Sequence, residues 1–281
     1  MARTKVINLG AFQFDCRVAG NEKDELVILL HGFPETSIMW TALMADLNPN
    51  EFYCLAPNMR GYSRNACPKG KNHYTIEKLG QDVLDLATAV GKDKFHLIAH
   101  DWGAVIGWYL AYHYPTKILS YTALSVPHLK GFFQAIQNDA DQQQRSKYIK
   151  LLVIPFLAEY KIRKNDFELF RKLWKHSSEE ELEDYLNTFR EKKVLTASLN
   201  YYRANFGKTR TEDIGEVYVP TLFIWGNKDM AIGAKGVALG HDYVKGPYTF
   251  MESKAGHWLI QTDYGTLKPA ILKFLISNRF D

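Results

Sequence analysis

Three residues far apart in the chain, Asp101, Asp229 and His257, occur in an order and in settings that suit covalent chemistry. Asp101 stands in Ala99-His100-Asp101-Trp102-Gly103, between the apolar run Phe95-His96-Leu97-Ile98 and the helix-like Ala104-Val105-Ile106-Gly107-Trp108-Tyr109-Leu110. A buried strand that turns sharply into a helix is a nucleophile elbow. Small residues at 99 and 103 admit close backbone approach, and the central side chain is held in a strained conformation pointing into a cleft. Here that side chain is a carboxylate. A carboxylate acts poorly on esters and amides, because the tetrahedral adduct expels it again; displacement at a tetrahedral carbon suits it better. The competing expectation is that Asp101 merely caps the helix that follows, through the helix's backbone amides.

An elbow of this kind calls for an early oxyanion loop, an acid after a late strand and a histidine near the end. His31-Gly32-Phe33-Pro34-Glu35 follows the apolar strand Leu26–Leu30, and the backbone amides of Phe33 and Trp102 would form a two-donor oxyanion hole. Asp229 follows Phe223-Ile224-Trp225-Gly226-Asn227-Lys228, and His257 lies in Lys254-Ala255-Gly256-His257-Trp258. Taken singly, each has an ordinary explanation: a Gly-Pro turn, an exposed turn aspartate, a histidine that satisfies loop backbone. Their order and spacing together make the chemical reading. His31, His100 and Glu35 border these motifs and are expected to make structural hydrogen bonds or support the nearby helix start.

The elements that must position these residues read as an α/β fold with a mostly parallel sheet flanked by helices. Alternation from Val6 to Val18 predicts an antiparallel hairpin. Strands at 26–30, 52–56, 95–98, 118–126, 221–225 and 248–251 then alternate with helices at 36–47, 75–90, after the elbow, and at 266–277. From about Leu129 to about Val217 the strand signal vanishes, and a stretch polar at first turns helical, with Ser178-Glu179-Glu180-Glu181 as a capping box. This predicts a first core part at 1–128, a helical lid at 129–217 over the carboxyl ends of the strands, and a second core part at 218–281.

The 281 residues, 46% of them hydrophobic, suffice for one large core with an inserted subdomain. The net charge of +4 is spread along the sequence without a basic block, so no nucleic acid or membrane partner is expected, and no oligomeric state is implied. Cys16, Cys54 and Cys67 form neither a metal spacing nor a disulfide framework. The amino terminus has no apolar signal core, and no stretch has the length of a membrane span, so a cytoplasmic protein is expected. Neither a metal-ligand cluster nor a phosphate-binding glycine loop is present in the sequence, and no cofactor is expected.

Over nearly its whole length the chain resembles the epoxide hydrolases of the α/β-hydrolase superfamily. His31-Gly32-Phe33-Pro34-Glu35, His100-Asp101-Trp102-Gly103, Arg60-Gly61-Tyr62-Ser63 and Gly256-His257-Trp258 are similar to that family's motifs. Asn200-Tyr201-Tyr202-Arg203 resembles the family's lid segment that carries an epoxide-activating tyrosine, which maps to Tyr202. The second such tyrosine lies seven residues before a lid proline that precedes a short apolar-acid segment; Pro155-Phe156-Leu157-Ala158-Glu159 fits, and points to Tyr148. Helical periodicity alone does not choose between Tyr201 and Tyr202. The resemblance implies attack of Asp101 on a small apolar epoxide, hydrogen bonds from Tyr148 and Tyr202 to its oxygen, and release of the Asp101 ester by water activated at His257 and Asp229.

Two alternatives share the fold. Dehalogenases use the same aspartate, but the haloalkane enzymes often carry asparagine where Phe33 stands, and those acting on fluoroacetate typically carry arginine where Trp102 stands. A non-catalytic ligand receptor is the third reading, disfavoured by the presence of Asp101, Asp229 and His257. A serine esterase has no Gly-x-Ser-x-Gly sequence to rest on.

Overall fold

The computed structural model describes residues 2–206 and 214–280. The stretch 207–213, inside the expected lid, lies outside the described residues. Eight strands form one sheet: β1 (Arg3–Leu9), β2 (Phe12–Ala19), β3 (Glu25–Leu30), β4 (Phe52–Pro57), β5 (Phe95–His100), β6 (Ile118–Leu124), β7 (Thr221–Gly226) and β8 (Tyr248–Ser253). Their spatial order is β1-β2-β4-β3-β5-β6-β7-β8. β2 pairs antiparallel with both β1 and β4, and the other pairings are parallel. The chain leaves β3 to one side for β4 and returns to its other side for β5. That reversal opens a crevice at the carboxyl ends of β3 and β5, where open α/β sheets bind ligands.

The central strands are continuous apolar runs because both faces of the sheet are covered. Along β3, Leu26, Ile28 and Leu30 join the core beneath α2 (Ile76–Ala89) and α3 (Trp102–His113). Val27 and Leu29 point to the opposite face, into a second core with Met39, Trp40 and α1 (Thr41–Leu47). α11 (Leu259–Ile276) packs in that second core through Leu267, Ile271 and Leu275. It starts seven residues before the helix expected from periodicity, because the non-helical geometry of Asp263 splits the pattern into two short runs.

Between β6 and β7 come α4 (Leu129–Asn138), α5 (Ala140–Arg145), α6 (Ile149–Leu152), α7 (Leu157–Leu173), α8 (Glu179–Arg190) and α9 (Lys192–Asn205). Helix begins at Leu129, directly after the β6 turn, where the sequence read as polar irregular chain; the polar residues Gln142 to Gln144 lie on α5. α4 packs on α10 (Ala234–His241) at a close backbone approach between Gly131 and Gly240. α8 opens with the reciprocal capping box, Ser178 accepting from the Glu181 amide while the Glu181 carboxylate accepts from the Ser178 amide. Asp184 on that helix accepts from Arg17 (2.7 Å) and Thr36 (2.5 Å), and Trp174 Nε1 donates to the Pro34 carbonyl (3.0 Å). These bonds fasten the helical layer to β2 and to the loop after β3. Among the described residues no helix is long and apolar enough to cross a membrane.

Candidate active site

Asp101 occupies the point where β5 ends and α3 begins, with φ +50° and ψ −117°, a conformation L residues rarely adopt. The strain is held in place by the packing around it. A Cβ on Gly103 would fall 2.3 Å from the Leu30 carbonyl oxygen, so only glycine lets α3 lie against the end of β3. A Cβ on Gly32 would fall 2.3 Å from Asp101 Cβ, so a side chain there would fill the space of the Asp101 side chain. The Asp101 carboxylate makes no hydrogen bond that caps α3. The Phe33 amide donates to Oδ1 at 2.7 Å, across the crevice from the loop after β3. Among the described residues the Trp102 amide makes no such bond to the carboxylate, although it follows directly in the chain.

His257 Nε2 lies 3.6 Å from Asp101 Oδ2, and its Nδ1 lies 2.9 Å from Asp229 Oδ2. Asp229 is fully buried. Its Oδ1 accepts from the Ala231 amide (2.7 Å) and the Ile232 amide (3.0 Å), and Ser125 Oγ donates to Oδ2 (2.8 Å). Burial alone would raise the Asp229 pKa, but the charge and hydrogen bond of His257, with these donors, hold it below the ordinary carboxylate value. Asp101 is depressed in the same way: burial opposes ionisation, and the His257 hydrogen bond and charge, His100 and the Phe33 amide outweigh it. For His257 burial favours the neutral ring, yet Asp229 and Asp101 hold its pKa up to about 10.

Ser125 went unnoticed in the sequence. It sits just after β6 with φ +72°, its Oγ 2.9 Å from His257 Nδ1 as well as bonded to Asp229. A serine after a strand carries no pattern of its own; only the strand order puts this one beside β7 and the histidine loop. Arg145, on α5, donates to the Asp229 carbonyl, a second contact invisible to periodicity. The flanking residues have structural partners. His31 Nε2 accepts from the Met59 amide (3.1 Å), and burial pushes its pKa down to about 4. His100 Nε2 lies 2.9 Å from the His257 carbonyl. Glu35 does not cap the helix beside it; it accepts from Gln261 Nε2 (2.7 Å) and lies 3.3 Å from His100 Nδ1.

The two neighbouring tyrosines of α9 separate cleanly. Tyr201 is fully buried and donates to the Arg60 carbonyl at 2.6 Å. Tyr202 lines the same cavity as Asp101, its ring 5.1 Å from Trp102 and 5.4 Å from Phe33, both edge to face. Tyr148, on the turn before α6, meets Tyr202 edge to face at 6.4 Å. Tyr148 and Tyr202 line one cavity of about 550 Å³ with Asp101, Phe33 and His257. Tyr148 is 42% exposed, and that surface borders the cavity. Burial raises both phenol pKa values, reinforced by the Asp101 charge, so both hydroxyls keep their protons at neutral pH. The remaining cavity wall is mostly apolar, including Leu152, Ile162 and Phe170.

The two lid motifs are joined by a bidentate pair. Arg203 Nη1 and Nη2 each approach a Glu159 carboxylate oxygen at 2.9 Å, which clamps α9 to α7. The Arg203 that ends one motif and the Glu159 that ends the other thus hold together the segments that carry Tyr202 and follow Tyr148. Among the described residues no group of three or more acidic, histidine or cysteine side chains could hold a metal ion.

Residues 25–264 match the family model described as the alpha/beta hydrolase fold. The chain is 31% identical to epoxide hydrolase 3 of Mus musculus, covering 87% of this chain and 68% of that one. It is 29% identical to epoxide hydrolase 4 of Homo sapiens, covering 94% and 75%. The structure of a Bacillus megaterium epoxide hydrolase in complex with an inhibitor superposes with a TM-score of 0.87 and 26% identity, over 97% of this chain and all of that one.

Proposed function

We propose, since this chain belongs to the epoxide hydrolase family of the α/β-hydrolase superfamily, that it opens an epoxide to a vicinal diol through an ester on Asp101. It is a hydrolase acting on ether bonds. The observation that carries the covalent route is the convergence of Asp101, His257, Tyr148 and Tyr202 on one largely apolar cavity.

Oδ1 is occupied by the Phe33 amide, so Oδ2 attacks the ring carbon. The carbon–oxygen bond of the ring breaks, its electron pair goes to the ring oxygen, and the hydroxyls of Tyr148 and Tyr202 stabilise and protonate the alkoxide. Esterification removes the Asp101 charge. One of the two anions that hold the proton on His257 is then gone, its pKa falls, and the released proton restores the tyrosine.

Neutral His257, oriented by Asp229 and Ser125, next takes a proton from water, and the hydroxide attacks the ester carbonyl. Negative charge develops on Oδ1, where the Phe33 amide already donates and the Trp102 amide is expected to join it; one such donor is worth about a hundredfold or more. Collapse expels the diol oxygen, which recovers the proton from His257, and the proton of the regenerated Asp101 carboxyl then passes to His257, which restores the starting charge state. In this account residues 129–217 act as the lid that supplies both tyrosines and excludes water, and the substrate is a small apolar epoxide.

A single turnover in heavy-oxygen water tests the covalent route. An ester on Asp101 delivers an unlabelled diol in the first turnover and leaves the label in the Asp101 peptide. Label in the first-turnover diol would mean that water attacks the epoxide directly.

A further inference from the structure

Among the described residues, five of the thirteen exposed large apolar side chains lie within one short stretch of the lid. Ile154, Phe156, Leu157, Tyr160 and Leu169 all fall between residues 154 and 169, with Phe156 87% and Tyr160 67% exposed. Tyr160 follows Phe156 by one helical turn, its amide donating to the Phe156 carbonyl at 2.9 Å. Tyr160, Lys161, Lys164, Asn165, Glu168 and Leu169 line a depression of about 290 Å³, where Glu168 is paired with Lys172, and Leu169 also lines the cavity that holds Asp101. Leu169 therefore belongs both to the exposed face and to the cavity wall.

Positive charge is dense in the same stretch of sequence, although Arg145 in it lines the cavity and donates to the Asp229 carbonyl. Residues 145–175 hold nine Lys or Arg against three Asp or Glu, whereas the whole chain carries only +4, so the rest of the molecule is net acidic. The even spread of charge expected from the sequence is an average that hides this segment. Arg171 and Lys172 are paired with Asp166 and Glu168. Among the described residues Lys161 and Lys164 make no salt bridge.

The geometry points to a lipid-docking surface: the lid face formed by Phe156, Tyr160, Lys161 and Lys164 seats on an anionic membrane surface, with the cavity opening beside Leu169. Exposed aromatics flanked by lysines, whose long apolar stems carry the charge outward, are the composition that inserts shallowly among lipid headgroups. A protein interface of the same size would have charge depleted from its centre. Docking there lets an apolar substrate pass from lipid to cavity without crossing water; that consequence rests on the proposed reaction, while the docking itself does not.

The test is flotation of the full chain with phosphatidylcholine vesicles, with and without phosphatidylserine. The full chain floats with the phosphatidylserine vesicles and is released by salt. Lys161→Glu with Lys164→Glu weakens binding by about fivefold or more for each lysine, and Phe156→Ser by about tenfold. None of these side chains lines the cavity, so turnover of a water-soluble epoxide is unchanged in Phe156→Ser; the flotation readout stands whether or not the protein turns over epoxides. Absence of vesicle binding at low ionic strength would overturn the proposal, as would equal binding to neutral and anionic vesicles that survives the charge reversal. A dimer that Phe156→Ser dissolves, with no vesicle binding, would also overturn it and assign the face to a second copy of the chain.

Discussion

The carboxyl edge of the sheet and the helical lid contribute to the same cavity by different physical means. On the sheet edge each group is fixed by backbone: Asp101 by an elbow that two glycines alone permit, Asp229 by the Ala231 and Ile232 amides, His257 by the loop after β8. In the lid the groups are fixed by packing and one ion pair, Tyr202 by rings on either side and its helix by Arg203 and Glu159. Backbone-fixed groups are the ones assigned to make and break covalent bonds. Packing-fixed groups are assigned to donate hydrogen bonds, for which small displacements cost less.

Substitutions on the two sides should differ accordingly. Asp101→Asn removes the proposed nucleophile, and loss of a residue in that role lowers turnover by about a millionfold; steady-state hydrolysis of an epoxide panel measures it. Tyr202→Phe leaves Asp101 in place and removes one proton donor, so the rate of ester formation in rapid-quench experiments should fall by about a hundredfold. A Tyr202→Phe protein as inactive as Asp101→Asn would erase the distinction between the two regions.

Ser125→Ala sharpens it within the sheet edge. Loss of one hydrogen bond to the Asp229 and His257 pair should slow ester hydrolysis by about tenfold and leave ester formation within a factor of about two. Tyr201→Phe, one residue from Tyr202, should leave both steps unchanged. Its effect is on stability, about 1–3 kcal/mol in urea denaturation, because the buried Arg60 carbonyl loses its partner.

A separate expectation is a pH slope. The His257 pKa is raised in the folded state to about 10 from an ordinary 6.5, so its contribution to stability is fully present below 6.5 and is lost as pH rises through 10. His257→Gln lacks this term. The stability of the unsubstituted protein relative to His257→Gln should therefore decline between those pH values, and a flat difference would mean that the histidine proton is not held by Asp101 and Asp229.

The sheet edge was the more legible of the two regions. Apolar runs ending in small or charged residues announce strand ends, and the order of Asp101, Asp229 and His257 follows from the order of the strands that carry them. The structure brings both carboxylates to the His257 ring, one on each nitrogen. The lid could be read as helical but not oriented, because Tyr201 and Tyr202 both have apolar neighbours at helical spacing; the family resemblance chose Tyr202, and the structure turns that residue to the cavity and Tyr201 to Arg60. Ser125, Arg145 and the contact between Glu35 and His100 left no trace, since each joins segments far apart in the chain through strand order and lid placement. The basic segment 145–175 was lost in a charge averaged over the whole chain.

The central claim is that Asp101 becomes an ester, and intact-mass spectrometry of the His257→Gln protein after exposure to a panel of epoxides and haloalkanes tests it most directly. With water activation disabled, the account predicts a mass gain equal to the whole epoxide, located on the Asp101 peptide and lost when Asp101→Asn is added. A gain of only the alkyl fragment from a haloalkane, with no epoxide adduct, would contradict the epoxide reading. Folded His257→Gln protein that stays unmodified by an epoxide the unsubstituted protein hydrolyses would contradict the covalent route itself.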